Sequence, residues 1–153
     1  MIKKVSKEIV DFLRESNAIE SVYDDVSLED AKKAWRYLSG QSELGPAVIL
    51  KTHKVLMANQ SLRPDEKGHW RRCQVWIGDR EAPRWEKVSL MMGEWLLNVE
   101  TTLRVPGEDG SNMKADHVEF ERVHPFVDGN CRIGRMLLNW ERLQVGLSIL
   151  VLK

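Results

Sequence analysis

Apolar residues recur at helical spacing along most of the chain. Near the N-terminus Val5, Ile9 and Phe12 or Leu13 fall on one face, which predicts a helix from Lys3 to about Arg14. Glu15–Ser21 either extends it or forms a short second turn. Ser27-Leu28-Glu29-Asp30 has the form of a capping box. A second helix is therefore expected with Ser27 as N-cap, running to about Leu38 and stopping at Gly40. Pro46 suits the first turn of a third helix, through about Ala58. Val88, Met92, Trp95 and Val99 form the stripe of a fourth, from Glu86 to about Leu103. A fifth carries Met113 to Val123. The last starts near Cys131, with Ile133, Met136 or Leu137, Trp140 and Leu143 as its stripe, and Gly146 ends it before a short extended tail, "LSILVLK".

The helical period fails in two places. Between Pro64 and Trp85, "CQVWIGDREAPRW" places β-prone residues before a Gly-Asp turn signal and a proline, the pattern of a short hairpin with a mobile tip. "VPGEDGSN" is a loop. No internal repeat or low-complexity tract interrupts the chain. The expected architecture is all-α, a single mainly helical domain over residues 1–153 with one short β-hairpin.

Composition narrows the function without naming it. At 153 residues, 42% hydrophobic and 30% charged, the chain can bury a real core and is not a disordered segment. Lys+Arg and Asp+Glu are equal at 23 each, so no overall basic charge points to nucleic acid. No apolar run approaches the ~20 residues that cross a bilayer. The amphipathic N-terminus is unlike a signal peptide. Two separated cysteines, Cys73 and Cys131, fit a reducing compartment better than a disulfide framework, so the expected location is the cytoplasm.

The densest chemistry is "HPFVDGNCRIGR", His124 to Arg135. Asp128-Gly129-Asn130-Cys131 forms the turn into the last helix, where free N–H groups and the positive dipole end favour an anion. Gly129 permits the backbone geometry of an anion nest. Arg132 and Arg135 add forked cationic donors suited to phosphates. Asp128 is a carboxylate beside that site, one common way of holding Mg²⁺ against phosphate oxygens. His124 is the natural general base near neutrality. Together they read as Mg²⁺-assisted attack on a nucleotide phosphate. Taken singly, each part has an ordinary explanation: a loop histidine, a common turn, a solvated arginine face. Their convergence at one helix start is what carries the reading.

The stretch resembles the signature of the Fic (filamentation induced by cAMP) family, HPFx[D/E]GN[G/K]RxxR, at every specified position but one. "HVEFERVHPF" is similar to that family's approach helix, with His117, Phe120 and Glu121 in place. "KGHWR", Lys67 to Arg71, is similar to its Gly-x-aromatic-Arg stretch. The resemblance covers about residues 14–149. It implies a helical Fic fold and protein adenylyltransfer: AMP moves from ATP, with Mg²⁺, to a Tyr, Ser or Thr hydroxyl of a target protein. By position it implies that His124 is the base, Phe126 anchors the loop and Asp128 holds Mg²⁺. Gly129, Asn130 and Cys131 would line the α- and β-phosphate cradle. Arg132 and Arg135 would hold the outer phosphates, and Gly134 falls within the same nucleotide-binding stretch. Gln74, Val75, Trp76, Ile77 and Gly78 would form the flap that aligns a target segment by strand-like pairing. Neither nucleic acid nor a membrane is an expected partner, while self-modification and oligomerisation stay open.

A second resemblance lies upstream. "SNAIES", Ser16 to Ser21, is similar to the family's inhibitory motif, [S/T]xxxE[G/N], with Ser21 departing from its last position. It implies that residues 14–21 form an inhibitory segment in which Ser16 and Glu20 share one helix face and Glu20 pairs with Arg135, blocking ATP. The other departure is Cys131, in place of glycine or lysine. At a helix start the dipole can lower a thiol's pKa, and a thiolate there would oppose phosphate, whereas a thiol that stays neutral would be only a modest steric penalty in the cradle. Two alternatives remain: a related phosphotransfer or removal of AMP on the same loop, and a catalytically weak binding module that uses the flap.

Overall fold

The computed structural model describes residues 5–152, so the first residues of the predicted N-terminal helix, Lys3 and Lys4, lie outside it. Among the described residues there are six α-helices and one two-stranded hairpin. The helices are α1 (Lys7–Ile19), α2 (Asp25–Ser39), α3 (Pro46–Leu56), α4 (Val88–Arg104), α5 (Ser111–Val123) and α6 (Asn130–Gln144). None is long and apolar enough to cross a membrane. The expected all-α fold with one hairpin is the fold observed.

Local sequence accounts for most boundaries. Ser6 caps α1 by accepting the Ile9 N–H, and α1 runs on through Ser16 to Ile19 with Glu20 as its C-cap. The start of α2 differs from expectation. Asp24 is the N-cap, accepting the Ser27 N–H at 2.9 Å, and the Ser27 hydroxyl donates back to the same carboxylate. Two oxygens outcompete one hydroxyl as acceptors for the first-turn donors, so the helix begins a turn earlier. Pro46 opens α3. The α4 stripe of Val88, Met92, Trp95 and Val99 is buried as its spacing predicts.

The last helix departs from a one-sided stripe. Ile133, Met136, Leu137 and Trp140 are buried, but so are Asn130, Arg132, Arg135, Asn139, Glu141 and Arg142, while Leu143 is exposed. The reason is position: α6 is the central helix and touches each of α1 to α5. Two of its polar side chains, Asn139 and Arg142, find their partners in the C-terminal tail. The Asn139 amide binds both the N–H and the C=O of Leu150, and Arg142 Nε donates to Ser148 O, so the C-terminal tail seals that flank. Phe12, Trp35, Ile49, Phe120 and Phe126 pack around it. The N-terminus of α6 is thereby held at a fixed point on the surface.

Candidate active site

The loop between α5 and α6 is built from both sides. Helix α5 ends at His124, whose backbone is left-handed (φ 51°, ψ 61°) and whose N–H still bonds Phe120 O. That conformation is uncommon outside glycine and reverses the chain sharply before Pro125. Phe126 is then fully buried. Asn130 closes the turn: its side-chain oxygen accepts the Phe126 N–H at 2.7 Å and its amide donates to Phe126 O at 2.8 Å. The Asn130 side chain is therefore spent on holding the loop, and only its backbone is free to face a ligand.

Sequence reasoning overlooked the support beneath this loop. His53 of α3 is buried and stacks on Phe126 at 3.7 Å between ring centres. Its Nε2–H donates to Asp128 O at 2.9 Å, and its Nδ1 accepts the Gly68 N–H at 3.0 Å. Both bonds need a neutral ring, and burial pushes its pKa down to about 4. Gly129 (φ 82°) lies against the same helix, where a β-carbon would stand 2.8 Å from Met57 Sδ. The only sequence signal for His53 was a histidine on the apolar side of α3, too common a feature to single out.

Arg71 is the other hidden support. Its backbone N–H bonds Pro125 O, and its buried guanidinium donates to the carbonyls of His124, Val123, Cys73 and Pro83. It ties the end of α5 to both strands' approach into the hairpin. The "KGHWR" resemblance contained this residue without revealing its task.

The hairpin pairs β1 (Trp76–Ile77) with β2 (Arg80–Glu81), and Gly78 (φ 63°) makes the turn. Gln74 bonds Glu81 across it, and the Val75 carbonyl accepts the Ala82 N–H. Trp76 is exposed. Gln74 to Gly78 thus stand beside the loop as one edge, their base fixed to it by Arg71.

His124, Asp128, Gly129, Asn130, Cys131, Arg132 and Glu20 line one pocket of about 130 Å³. The His124 ring is fixed in a defined tautomer. Its Nδ1–H donates to Glu121 O at 3.0 Å, which leaves Nε2 as the basic nitrogen. The first α6 bond is from Ile133 N–H to Gly129 O. The N–H groups of Asn130, Cys131 and Arg132 precede it and have no helical acceptor. Arg132 is 3% exposed, and its Nε and Nη1 have no hydrogen-bond partner; Nη2 meets only Met57 Sδ. Burial lowers its pKa, while Asp128 and Glu20 raise it. A buried guanidinium without an anion is costly, and its unused donors are available to an anionic ligand.

Asp128 is exposed, and Oδ1 accepts the Gly129 N–H at 2.8 Å. Among the described residues no three His, Cys, Asp or Glu groups gather as a metal cage. A single free carboxylate oxygen fits Mg²⁺ carried on a substrate's phosphates, the usual situation for that ion.

Ser16, Gly134 and Arg135 fall outside the pocket lining. Arg135 is buried on α6, its Nε donating to Ser16 Oγ at 2.8 Å and its Nη2 to Ser16 O and Glu20 Oε1, each at 2.9 Å. Gly134 faces α5 instead of the pocket: a β-carbon there would lie 2.2 Å from Glu121 Oε1 and 3.1 Å from Phe120. It permits the close approach of α5 to α6. Cys131 lines the pocket, and of the two thiol states left open by the sequence it takes the neutral one. Its thiol donates to Glu121 Oε2 at 3.1 Å, and burial, then the Glu121 charge, pushes its pKa up to about 12. Desolvation and a facing carboxylate outweigh the helix dipole, so no thiolate forms.

A helical domain that fixes a histidine, an aspartate and an unpaired arginine around a helix N-terminus has the form of a phosphate-chemistry domain. A model of the Fic/DOC family matches residues 43–141, and the chain belongs to that family. It is 27% identical over 108 residues to the protein adenylyltransferase Fic of Nematostella vectensis, a match covering 69% of this chain and 24% of that protein. It is 30% identical over 101 residues to the same-named protein of Aedes aegypti, covering 64% and 19%. The chain thus spans about a quarter or less of these relatives. Among solved structures, a Fic domain-containing signalling protein from Bacteroides thetaiotaomicron superposes with a TM-score of 0.79 at 16% identity, over 95% of this chain and 66% of the other. Fic-1 of C. elegans gives 0.78 at 22% identity, over 96% and 51%. These two likenesses establish the shared fold.

Proposed function

We propose that this domain is a protein adenylyltransferase, moving AMP from ATP to a Tyr, Ser or Thr hydroxyl of a target protein. The observation that carries the reading is the pocket itself: a histidine with a free Nε2 facing a helix N-terminus and a buried guanidinium without a partner. The relatives named as adenylyltransferases support the reaction class.

In this reading the target segment pairs with the Gln74–Gly78 edge and brings its hydroxyl to His124. Nε2 takes the hydroxyl proton as the oxygen attacks the α-phosphorus. An O–P bond forms, the bond to the β-phosphate oxygen breaks, and pyrophosphate leaves. The N–H groups of Asn130, Cys131 and Arg132 and the Arg132 guanidinium hold the phosphate charge. Asp128 would hold Mg²⁺, which neutralises phosphate oxygens when bound with the nucleotide. His53, Phe126, Asn130 and Arg71 keep the loop rigid, so the geometry is set before substrate arrives.

Residues 14–21 act in this scheme as an inhibitory segment. Glu20 occupies Arg135 and also lines the pocket, whose 130 Å³ is below the roughly 300–1,000 Å³ of small-molecule sites. Nucleotide entry then requires Glu20 to move. A catalytically weak binder is less favoured, because the Cys131 thiol is neutral and tied to Glu121.

The test uses ATP labelled at the α- or γ-phosphate with a protein mixture as acceptor. In a Glu20→Gly background, transfer of α-label alone is expected, lost when His124→Ala is added while nucleotide binding persists. Transfer of γ-label would make the domain a kinase, and α-label transfer by His124→Ala would remove His124 as the base.

A further inference from the structure

A second surface lies on the far side of α3 from the motif loop. It is a groove of about 730 Å³ between α2, α3 and the segment following α3. Lys33, Lys51, Lys54 and Lys67 line it, against one carboxylate, Asp30. Asp30 is 4% exposed and already accepts from Asn59 Nδ2 at 2.8 Å. The groove is therefore a strongly positive feature on a chain of zero formal net charge.

Its charges are brought together by the fold. Lys51, Lys54 and Val55 share one face of α3, three and four residues apart, and Ala58 follows in the turn after it. Lys67 joins them because the chain crosses α3 closely at Gly68, where a β-carbon would stand 2.8 Å from Lys54 Cβ. Lys67 Nζ donates to Ala58 O, and Lys51 Nζ stands 4.6 Å over the Tyr37 ring, so two ammonium groups are held in place. Lys33 and Lys54 are exposed with no salt-bridge partner among the described residues. Val55, Ala58 and Pro64 supply an apolar floor.

We propose that this groove docks an acidic, amphipathic polypeptide segment of a partner protein, its carboxylates on the lysines and its apolar side chains on the floor. Charge complementarity selects the acidic partner. The chemistry of the lining selects polypeptide over nucleic acid: no aromatic side chain lines the groove for base stacking, and no arginine fork is present for bidentate phosphate contacts. The surface is separate from the transfer site, so it would hold a partner without occluding the motif loop. His53 of α3 and Met57, the residue that caps it, contact that loop, and neither lines the groove.

The probe is a fluorescein-labelled peptide of alternating glutamate and leucine, followed by anisotropy at low and moderate salt. An alternating serine–leucine peptide and an oligothymidylate of matched charge serve as comparators. The glutamate peptide should bind the wild-type chain and weaken with salt. The triple variant Lys33→Gln/Lys51→Gln/Lys54→Gln should bind it about tenfold or more weakly, with thermal stability and ATP binding unchanged. Equal binding of the glutamate peptide by wild type and variant would overturn the proposal. So would serine–leucine binding of equal strength, or oligothymidylate binding that matches the glutamate peptide and is lost in the same variant. ATP binding reports on the transfer site separately, so its failure and that of the groove are distinguished.

Discussion

If Glu20 must leave Arg135 before phosphate can approach, removing its carboxylate should tighten nucleotide binding by the free energy of that pairing. The contact is one charge-assisted bond at 2.9 Å, between an arginine side chain 8% exposed and a glutamate side chain 35% exposed. Hydrogen bonds to charged groups contribute about 1.5–3 kcal/mol when sheltered, and fully exposed pairs about 0–1 kcal/mol. The half-open position of Glu20 places its pairing between these, at about 1–2 kcal/mol. At 1.4 kcal/mol per tenfold, Glu20→Gly should lower the Kd for Mg²⁺·ATP by about 5- to 30-fold. The two Ser16 contacts to Arg135 survive the change, so the guanidinium stays in position and the fold loses little stability. Glu20→Gln, which keeps an acceptor but not the charge, should fall between the two. Isothermal titration with a non-hydrolysable ATP analogue reads the difference directly, independent of target or turnover. Equal Kd values for wild type and Glu20→Gly would refute the argument, and would mean that the observed ion pair is a structural contact with no hold on the nucleotide.

Three further outcomes follow from the geometry. Gly129→Ala should cost about 2–3 kcal/mol in urea unfolding, from left-handed strain of about 1–2 kcal/mol and the contact with Met57 Sδ; an unchanged midpoint would show that the loop can relax. Iodoacetamide at pH 8 should label exposed Cys73 and spare Cys131, whose thiol is held neutral with a pKa of about 12, and peptide mass spectrometry distinguishes them. Glu141 is buried within hydrogen-bonding reach of Asp116, and burial, then the Asp116 charge, raises its pKa to about 9. The folded state therefore binds more protons than the unfolded state between the ordinary carboxylate range and pH 9. Stability should fall as pH rises across that window, and Glu141→Gln should flatten most of the fall in urea titrations at pH 5.5, 7 and 8.5.

The local pattern was enough to place the helices because their signals are local. Pro46 fixes its own φ, and the stripe from Val88 to Val99 follows from the 3.6-residue period alone. The motif was legible for a similar reason: His124 to Arg135 is contiguous, so one turn into one helix gathers its chemistry. Tertiary structure decided everything that depends on distant partners. Ser16 and Glu20 meet Arg135 only because α1 packs against α6, and His53 reaches Asp128 only because α3 lies under the loop. The stripe assigned to α6 could not reveal that its polar face is buried too, since that follows from five neighbouring helices and a folded-back tail. The state of the Cys131 thiol turned on the same kind of fact. From the sequence it stands at a helix N-terminus, where the dipole can lower a thiol's pKa, and its charge state was open. In the fold Glu121 faces it beside Gly134, and burial of the thiol with a half-buried carboxylate at 3.1 Å outweighs a partial dipole charge.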